Sequence, residues 1–498
     1  MSKIKRIVIV GGGTAGWMAA ASLSHYLKHR DIQIHLVESS EIGTVGVGEA
    51  TLPGIRDFNN SLGIDEIDFI KKTQATFKLG IEFNDWKTLG SHFFHPFASY
   101  GMPIEDLDFY QVWQGLFKQQ KAQPLIHYCL PSMLAKHNKF AQPNPKTTSP
   151  LARYHYAYHF DASLYAAYLR NYAETKGVIR HEDKIIQVEL LENGFIEAVA
   201  LEKGGTLFGD LFIDCSGFRG ILIEGALKTG YEDWSHWLPV NSAIAVQSES
   251  NLDPTSYTKT TALQAGWQWR IPLQHRVGNG YVYCDKFISD EDATITLLSR
   301  LDGKPTISPR VIKFTTGRRK KFWNKNCIAL GLASGFLEPL ESTSISLIQT
   351  GITKLLTFFP DDDFNDDDIN EANRLALVEM ERIRDFIILH YTLSQRDDSA
   401  FWRYIKTITL PDTLAQKIKI FKRRAHLIKY EGESFSDASW ISMYNGFDVF
   451  PEVGDIRLDY LPKAEMELQL QKIEQVIRDA TSHSLSHSSF IEKFCPAD

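Results

Sequence analysis

The first 40 residues contain a short apolar run, a glycine-rich stretch and a second apolar run. Residues 5–10 read KRIVIV, and a continuous run of β-branched residues is typical of a parallel strand that is buried on both faces. An alanine-rich helix is predicted at about 15–27, and a second predicted strand at 32–37 leads into Glu38. This order of elements predicts a β-α-β unit whose first turn is rich in glycine.

Antiparallel strands are predicted through the middle of the chain. The segment 185–214 alternates apolar and polar residues, and its Asn193-Gly194 and Gly204-Gly205 pairs are typical of hairpin turns. The segment 237–325 is also rich in the strand-forming residues threonine, valine, tyrosine and tryptophan. We therefore expect sheets that are inserted into the lobe that the N-terminus begins.

The last third of the chain shows helical periodicity, with amphipathic stretches at about 367–395 and 412–430. The acidic run at 361–368 predicts a surface loop that leads into a helix N-terminus, where the helix dipole favours carboxylates. The predicted fold class is α/β. A Rossmann-like lobe with β-sheet insertions is expected over residues 1–345, and a mainly helical C-terminal lobe is expected over residues 346–498.

Length and composition support this two-lobed organisation. The chain has 498 residues, which exceeds the size at which a single hydrophobic core usually stops growing. The net charge of −7 provides no general attraction to nucleic acid or to an anionic membrane. The five cysteines show no CxxC spacing, so the sequence predicts neither a metal site nor a disulfide framework.

No targeting or membrane-spanning segment is predicted. The N-terminus enters the first predicted strand within a few residues, which leaves no room for a signal peptide. No window approaches the run of about 18 apolar residues that a membrane span requires. We therefore expect a cytoplasmic protein that has no membrane partner.

Residues 11–16, GGGTAG, fit the G-x-G-x-x-G pattern of dinucleotide-binding proteins. The glycines permit a tight turn, close approach of the backbone to a pyrophosphate, and close packing of the helix on the strand. The N-terminus of the predicted helix offers unpaired N–H groups to the phosphates. Glu38 can accept hydrogen bonds from the ribose hydroxyls. The residues predicted to bind the dinucleotide are Gly11, Gly13, Thr14, Ala15, Gly16 and Glu38.

Two further segments favour FAD over NAD as the cofactor. Residues 45–50, VGVGEA, form a second glycine-rich turn shortly after Glu38, where the backbone can approach another part of a long cofactor. Residues 211–220, LFIDCSGFRG, place a strand before a chain reversal, which resembles the segment that returns to the nucleotide in FAD proteins. The additional residues predicted to contact FAD are Gly48, Glu49, Ala50 and Leu332.

Residues 266–272, GWQWRIP, resemble the G-W-x-W-x-I-P signature of the flavin-dependent halogenases, which include the tryptophan halogenases. Two tryptophans separated by one residue face the same side of a strand. In that family the segment keeps the organic substrate away from the flavin. The resemblance implies a barrier formed by Trp267, Trp269, Ile271 and Pro272. It extends over roughly residues 4–450.

Shorter segments extend the resemblance to the reaction centre. Residues 77–80, FKLG, resemble the family's segment with its catalytic lysine, which is Lys78 here. Residues 336–343, FLEPLEST, resemble the segment with the catalytic glutamate, which is Glu341 here, and with the halide site. Residues 384–391 resemble part of the family's helical lobe. The halide-binding residues that the resemblance implies are Ser342, Thr343 and Ser344.

The resemblance also implies the chemistry. FADH2 and O2 supply the oxidation of a halide, chloride or bromide, to hypohalous acid. Lys78 then either donates a hydrogen bond to this acid or, as a neutral amine, forms a haloamine. Glu341 either protonates the departing oxygen or removes the proton from the cationic ring intermediate. The sequence leaves both pairs of roles open, and it does not identify the preferred halide.

The expected substrate is a small electron-rich aromatic molecule. Residues 95–97, HPF, resemble the segment that lines the substrate cavity of tryptophan halogenases, so His95, Pro96 and Phe97 are expected beside the ring. Residues 430–447 contribute Trp440 to the predicted substrate site but do not match the family's amino-acid clamp. We therefore expect indole, a substituted indole or a phenol rather than free tryptophan. Ser344 stands where the family usually has glycine, which predicts a differently shaped halide site.

The sequence leaves two other functions open. A flavin monooxygenase that hydroxylates an aromatic with NADPH shares the fold and Glu38, but this function does not account for residues 266–272 or Lys78. A flavin-binding protein without turnover is the second alternative. No second nucleotide motif is evident, so a separate flavin reductase is expected to supply FADH2. Flavoproteins of this size are often dimers, and we expect a homodimer.

Overall fold

The computed structural model describes residues 4–39, 48–144, 149–360 and 363–497. The strands are β1 (Arg6–Val10), β2 (Gln33–Glu38), β3 (Gly48–Ala50), β4 (Thr76–Lys78), β5 (Gly80–Asn84), β6 (His92–Pro96), β7 (Lys139–Phe140), β8 (Ala157–Asp161), β9 (Ile179–Glu182), β10 (Ile185–Leu190), β11 (Ile196–Leu201), β12 (Thr206–Phe208), β13 (Leu211–Asp214), β14 (Tyr231–Asp233), β15 (Ser242–Ser248), β16 (Thr258–Leu263), β17 (Gly266–Pro272), β18 (Val277–Tyr283), β19 (Arg310–Lys313), β20 (Gly317–Arg319), β21 (Trp323–Asn324), β22 (Cys327–Ala329), β23 (Gly335–Phe336) and β24 (Leu485–Ser486). The α-helices are α1 (Thr14–Tyr26), α2 (Gly54–Ser61), α3 (Glu66–Lys72), α4 (Phe109–Phe117), α5 (Leu130–Lys136), α6 (Ala162–Thr175), α7 (Asp290–Leu298), α8 (Thr343–Thr357), α9 (Asp366–Leu393), α10 (Ala400–Ile405), α11 (Asp412–Arg424), α12 (Asp437–Gly446), α13 (Lys463–His483) and α14 (His487–Phe494).

A largely parallel sheet contains the predicted β-α-β unit. Its strand order is β21-β22-β13-β1-β2-β9, and neighbours are parallel except β21 and β22. The predicted boundaries of β1, α1 and β2 agree with the structure to within one residue. The antiparallel hairpin over β10, β11 and β12 is confirmed. The prediction is wrong for β13, which pairs in parallel with β1 because its apolar side chains are buried on both faces.

A second sheet, in the order β19-β15-β18-β17-β16-β5-β6, confirms the predicted strand-rich middle of the chain. Its pairs are antiparallel except for β16 with β5. The segment that resembles the halogenase barrier is β17, and His95 and Pro96 end β6. Lys78 lies on β4, which pairs with β8 in a smaller sheet. These sheets therefore position several of the residues that the sequence singles out.

Helices dominate the C-terminal region, as predicted. α9 and α11 occupy the two segments predicted to be amphipathic helices. The side chain of Asn365 caps α9 by accepting hydrogen bonds from the amides of Asp367 and Asp368. The acidic run therefore includes the helix N-terminus, whereas its positions 361 and 362 lie outside the described residues. Within the described ranges, no helix is both long and apolar enough to cross a bilayer.

The two predicted lobes share one core. A single cluster of buried apolar side chains extends from Ile4 to Cys495. The short strand β24 near the C-terminus also pairs with β7, which lies in the N-terminal third of the chain. The boundary between lobes at residue 345 stays a prediction, and α8 runs across it.

Candidate active site

A cavity of about 760 Å³ lies at the carboxyl ends of β1 and β2. Gly11, Gly13, Thr14 and Ala15 line it, as the sequence predicts for a dinucleotide site. Cofactor and ligand pockets usually measure about 300–1,000 Å³, so this volume is in the range for a large cofactor. The position agrees with the general location of ligands in open α/β sheets.

Two glycines of the turn leave no room for a side chain. Gly11 has a φ of 113°, and a Cβ on it would lie 2.2 Å from the carbonyl oxygen of Cys215. A Cβ on Gly16 would lie 1.8 Å from the carbonyl oxygen of Gly11. Glycine at these positions therefore lets α1 begin directly after β1, and the first N–H groups of α1 remain available to an anion. These residues fit the pyrophosphate of a dinucleotide.

Glu38 lies across the glycine-rich turn. Its Oε2 is 1.6 Å from the position that a Cβ on Gly12 would take, and it accepts a hydrogen bond from Nε1 of Trp17 at 3.3 Å. Its Oε1 pairs with Nε of Arg180 at 2.5 Å. Arg180 also lines the cavity, but no sequence pattern singles it out because it comes from the distant strand β9. This ion pair orients the Glu38 carboxyl at the edge of the turn where a ribose is expected.

The remaining predicted cofactor residues, Gly48, Glu49, Ala50 and Leu332, also line the cavity. The second glycine-rich turn differs from the prediction, because residues 48–50 form β3, and residues 45–47 lie outside the described residues. Burial raises the pKa of Glu49 to about 7. Leu332 lies in a 3₁₀ turn at Gly331–Ala333. The cavity thus unites the separate segments predicted to bind FAD.

The two tryptophans of β17 face the same side, as predicted, with their ring centroids 6.1 Å apart. Trp267, Trp269 and Ile271 line the cavity, so this face of β17 forms one of its walls. Nε1 of Trp267 donates a hydrogen bond to Oε1 of Glu338 at 2.9 Å. Pro272 ends the strand, and its carbonyl oxygen accepts a hydrogen bond from the hydroxyl of Thr76 on β4. β17 therefore connects the cavity wall to the strand that contains Lys78.

Lys78 is fully buried, with none of its surface exposed. Its Nζ donates hydrogen bonds to the carbonyl oxygen of Thr51 at 2.9 Å and to the hydroxyl of Ser342 at 2.8 Å. It also lies 5.2 Å from the centre of the Phe97 ring. Burial lowers the pKa of Lys78 to about 7, although the negative charge of Glu341 acts in the opposite direction. Burial therefore favours the neutral form of this amine relative to that of an exposed lysine.

Glu341 ends a 3₁₀ turn at Pro339–Glu341 and is also fully buried. Nδ1 of His95 lies 3.0 Å from its Oε2, and Nε2 of His390 lies 2.8 Å from its Oε1. Burial alone would raise the pKa of Glu341, but the charge of His95 and the hydrogen bonds from both rings outweigh it and lower the pKa to about 2. Glu341 is therefore a carboxylate with two histidine partners.

The second ring nitrogen of His390 binds the backbone of its own helix. Its Nδ1 lies 2.8 Å from the carbonyl oxygen of Phe386, which can only accept, so Nδ1 bears a hydrogen. Its Nε2 faces Oε1 of Glu341 at 2.8 Å, so the ring lies between the backbone of α9 and the carboxyl. The sequence resemblance included His390 but indicated no role for it. The contact with Glu341 joins residues 49 positions apart, which no local pattern reveals.

The predicted halide segment lies where the turn enters α8. Ser342 has a left-handed backbone (φ 60°), and Thr343 and Ser344 occupy the first turn of the helix, where amides have no intrahelical partner. Ser342 and Ser344 line the cavity. Ser344 lies within the helix and needs no positive φ, and the different shape expected of the halide site stays a prediction. The residue with the unusual φ is Ser342, which also accepts the hydrogen bond from Lys78.

The residues predicted to line the substrate site belong to a buried aromatic cluster. His95 contacts Glu341 rather than forming only a wall, and its ring centroid lies 6.4 Å from that of Phe97. His95 also lies 5.9 Å from Phe386, which packs edge-on against Trp440 at 5.0 Å. Pro96 is buried at the end of β6. The cluster thus connects the surroundings of Lys78 with α12.

The model of the tryptophan halogenase family matches residues 6–463. This match covers most of the chain, so the protein belongs to the tryptophan halogenase family. Among curated relatives, the 7-chloro-L-tryptophan 6-halogenase KtzR of Kutzneria sp. (strain 744) is 37% identical over 438 residues, which cover 84% of each chain. The family membership therefore rests on both the match to the family model and the similarity to this relative.

Solved structures of flavin-dependent halogenases share the whole fold. BrvH from Brevundimonas sp. BAL3 has a TM-score of 0.96 and 45% identity, and the match covers 98% of this chain and 99% of that one. Xcc4156 from Xanthomonas campestris also has a TM-score of 0.96, with 43% identity over 100% of this chain and 99% of that one. The predicted FAD-binding Rossmann-like fold is confirmed.

The protein is therefore an enzyme, a flavin-dependent halogenase that uses FAD as FADH2, a halide and O2. Members of the family act on small aromatic substrates and receive FADH2 from a separate flavin reductase. The comparisons support halogenation and not the monooxygenase or non-catalytic alternatives.

Proposed function

We propose that Lys78 and Glu341 are the catalytic residues of this halogenase and that the substrate is indole, a substituted indole or a phenol. One observation supports the assignment most directly: buried Lys78 donates a hydrogen bond to Ser342, and Ser342 lines the cavity that fits FAD. The lysine thus lies one side chain away from the cavity. Bound FADH2, together with O2, supplies the chemistry that oxidises halide to hypohalous acid.

The halide is proposed to bind at the N-terminus of α8. The amides of Thr343 and Ser344 are free of intrahelical partners, and the positive end of the helix dipole favours an anion there. Ser342 and Ser344 face the FAD cavity, which places the proposed halide site beside the cofactor. Chloride and bromide both fit this description.

Lys78 is proposed to act as a neutral amine. An –NH₂ group has two hydrogens, and Thr51 and Ser342 provide two acceptors for them. The lone pair then points away from both acceptors and can attack the halogen of hypohalous acid. The N–halogen bond forms as the O–halogen bond breaks, and the released hydroxide takes one amine proton to become water. The haloamine then transfers the halogen to the aromatic ring.

Glu341 is proposed to act as the general base. Because its pKa is low, it is already ionised and cannot readily protonate a departing oxygen. As a carboxylate it can accept the proton that the ring loses when aromaticity is restored. His95 and His390 hold the carboxyl in place on two sides, so its orientation is fixed before the substrate binds.

The proposed substrate lacks the charged groups of an amino acid. In the segment 430–447, where an amino-acid clamp is expected, Oε1 of Glu433 pairs with Nζ of Lys417 from α11 at 2.5 Å. Oε2 of Glu433 accepts a hydrogen bond from Nε1 of Trp440 at 3.2 Å. These groups already satisfy one another, so they are not available to bind an ammonium and a carboxylate. Trp440 and Phe97 then contribute apolar surface to a flat ring.

The test is mass spectrometry of reactions that contain the enzyme, FAD, a flavin reductase, NADH and indole, with chloride or bromide. We expect a product with the isotope pattern of the halide supplied. Lys78→Ala is expected to lower product formation at least about a hundredfold. The matched control is Lys121→Ala, which removes a surface lysine that pairs with Glu467. Lys78→Ala with normal product, or free tryptophan as the preferred substrate, would contradict the proposal.

We also propose the finer details of partners and location. The flavin reductase is expected to supply FADH2 by diffusion, and the protein is expected to be a homodimer in the cytoplasm. All five cysteines are buried and free, which suits a reducing compartment. Sedimentation of the purified protein and fractionation of the source cells test the last two expectations.

A further inference from the structure

Glu338 is a second buried carboxyl in the turn that contains Glu341. None of its surface is exposed. Its Oε1 accepts hydrogen bonds from Nε1 of Trp267 at 2.9 Å and from the hydroxyl of Tyr391 at 2.6 Å. Among the described residues, its Oε2 has no hydrogen-bond partner. The proposed mechanism gives this carboxyl no role.

The two glutamates are held by neighbouring residues of α9. Tyr391 binds Glu338, and His390, immediately before it, binds Glu341. The other partner of each glutamate comes from the second sheet, since Trp267 lies on β17 and His95 on β6. The turn is therefore fixed between a helix and a sheet. A shift of Glu338 would also displace Trp267 in the cavity wall.

The unpartnered oxygen favours the neutral form of the Glu338 carboxyl. An ionised carboxyl would leave charge on a buried Oε2 that has no donor among the described residues, which costs far more than a buried hydroxyl. Burial raises the pKa of Glu338 to about 7, in agreement with this geometry. Glu341 shows the opposite shift because two histidines donate to it. The pKa values of two carboxyls in one turn are thus shifted in opposite directions, a pattern that enzymes use to separate roles.

We propose that Glu338 is a positioning residue whose carboxyl fixes the Trp267 indole, and so keeps closed the wall that Trp267 forms between the FAD cavity and the surroundings of Lys78. This inference rests on the proposed function of Lys78. Ser342 and Trp267 both border the cavity, and Ser342 accepts the hydrogen bond from Lys78. A closed wall at Trp267 therefore directs hypohalous acid along the side of the cavity that leads past Ser342 to Lys78. Without the hydrogen bond the indole can rotate, and oxidant escapes before it reaches the substrate.

The test measures halogenated product per FADH2 oxidised, together with escaped hypohalous acid trapped by a soluble 1,3-diketone. Glu338→Leu and Trp267→Phe each remove the same hydrogen bond. Each is expected to lower the ratio about three- to tenfold, as the loss of one hydrogen bond predicts, and to increase escaped oxidant. The double variant is expected to be no worse than either single variant.

Two further variants separate positioning from general damage. Glu338→Gln keeps a neutral group and an acceptor for both donors, so it is expected to restore the ratio to within about twofold of the wild type. The matched control is Trp113→Phe, which removes a buried indole N–H bound to the carbonyl oxygen of Gln123 at 2.8 Å far along the chain. It is expected to leave the ratio unchanged.

Several results would overturn the inference: a normal ratio in Trp267→Phe, losses that multiply in the double variant, or Glu338→Gln as damaging as Glu338→Leu. If Glu338→Leu does not fold, Trp267→Phe and Glu338→Gln still decide the question. Lys78→Ala in the same assay distinguishes a failure of the proposed function from a failure of the role of Glu338. Normal product in Lys78→Ala would overturn the proposed function, whereas normal coupling in Trp267→Phe would overturn only the role of Glu338.

Discussion

The halogenation step is expected to accelerate as pH rises through about 7, because Lys78 acts as a neutral amine. Burial lowers the pKa of Lys78 from 10.5 to about 7. At about 1.36 kcal/mol per unit, this shift favours the neutral form by about 5 kcal/mol relative to water. About half of the lysine is then neutral at pH 7, against about 0.03% for a lysine with an ordinary pKa.

Single-turnover reactions test this expectation. The enzyme with pre-reduced FAD, bromide and indole is mixed with oxygen between pH 6 and pH 8, and brominated product is followed in time. The neutral fraction rises from about 9% to about 91% over this range, so the rate constant should rise about tenfold. Flavin reoxidation measured in the same samples shows whether halide oxidation itself changes with pH.

A rate constant that falls with pH while flavin reoxidation stays constant would refute the neutral-amine role and favour a hydrogen-bonding ammonium. Stability provides an independent check. Between pH 7 and 10.5 the unfolded state binds the lysine proton and the folded state does not, so the stability of the wild type should rise with pH. Lys78→Met lacks this dependence, and the stability difference between the two proteins should change over that window.

Three further substitutions test individual parts of the site. Glu341→Gln should lower the rate of halogenation by about 10²–10⁴-fold and leave halide oxidation intact. The substitution should also lower the pKa of Lys78 further, because the carboxylate that raises this pKa is gone. An unchanged pH profile of the residual activity would contradict the second expectation. Gly16→Ala places a Cβ 1.8 Å from the Gly11 carbonyl oxygen, so FAD affinity measured by fluorescence titration should fall at least about tenfold. Ser344→Gly should leave the halide KM nearly unchanged and lower the stability by about 0.5 kcal/mol, since Ser344 lies in the helix. A large change in the halide KM would contradict the helical halide site.

Local patterns predicted the elements whose partners are close in sequence. The β1-α1-β2 unit and the hairpins of β10 to β12 follow from apolar spacing and turn residues, and the structure confirms them. The parallel pairing of β13 with β1 joins residues about 200 positions apart, and alternation along β13 does not reveal which strand will be its neighbour. The sheet order therefore could not be derived from the sequence.

For a similar reason, the sequence predicts only part of the candidate site. The glycine-rich turn has a physical signature, whereas Lys78 and Glu341 were singled out by resemblance alone. The partners that set their chemistry, such as Thr51, His390 and Arg180, come from distant segments. A single lysine or glutamate in a sequence has no visible pKa, because desolvation and hydrogen bonding arise only after the chain has folded.

The turn at 338–341 shows how the folded surroundings of a residue determine its function. Glu338 and Glu341 are the same residue type three positions apart, and no sequence pattern distinguishes their charge states. In the structure, Glu341 has two histidine donors and a lowered pKa, whereas Glu338 has an unpartnered oxygen and a raised pKa. One is suited to accept a proton and the other to hold an indole without adding negative charge beside the halide site. The division of roles therefore depends on which residues of α9, β6 and β17 face each carboxyl, and hence on the assembled fold.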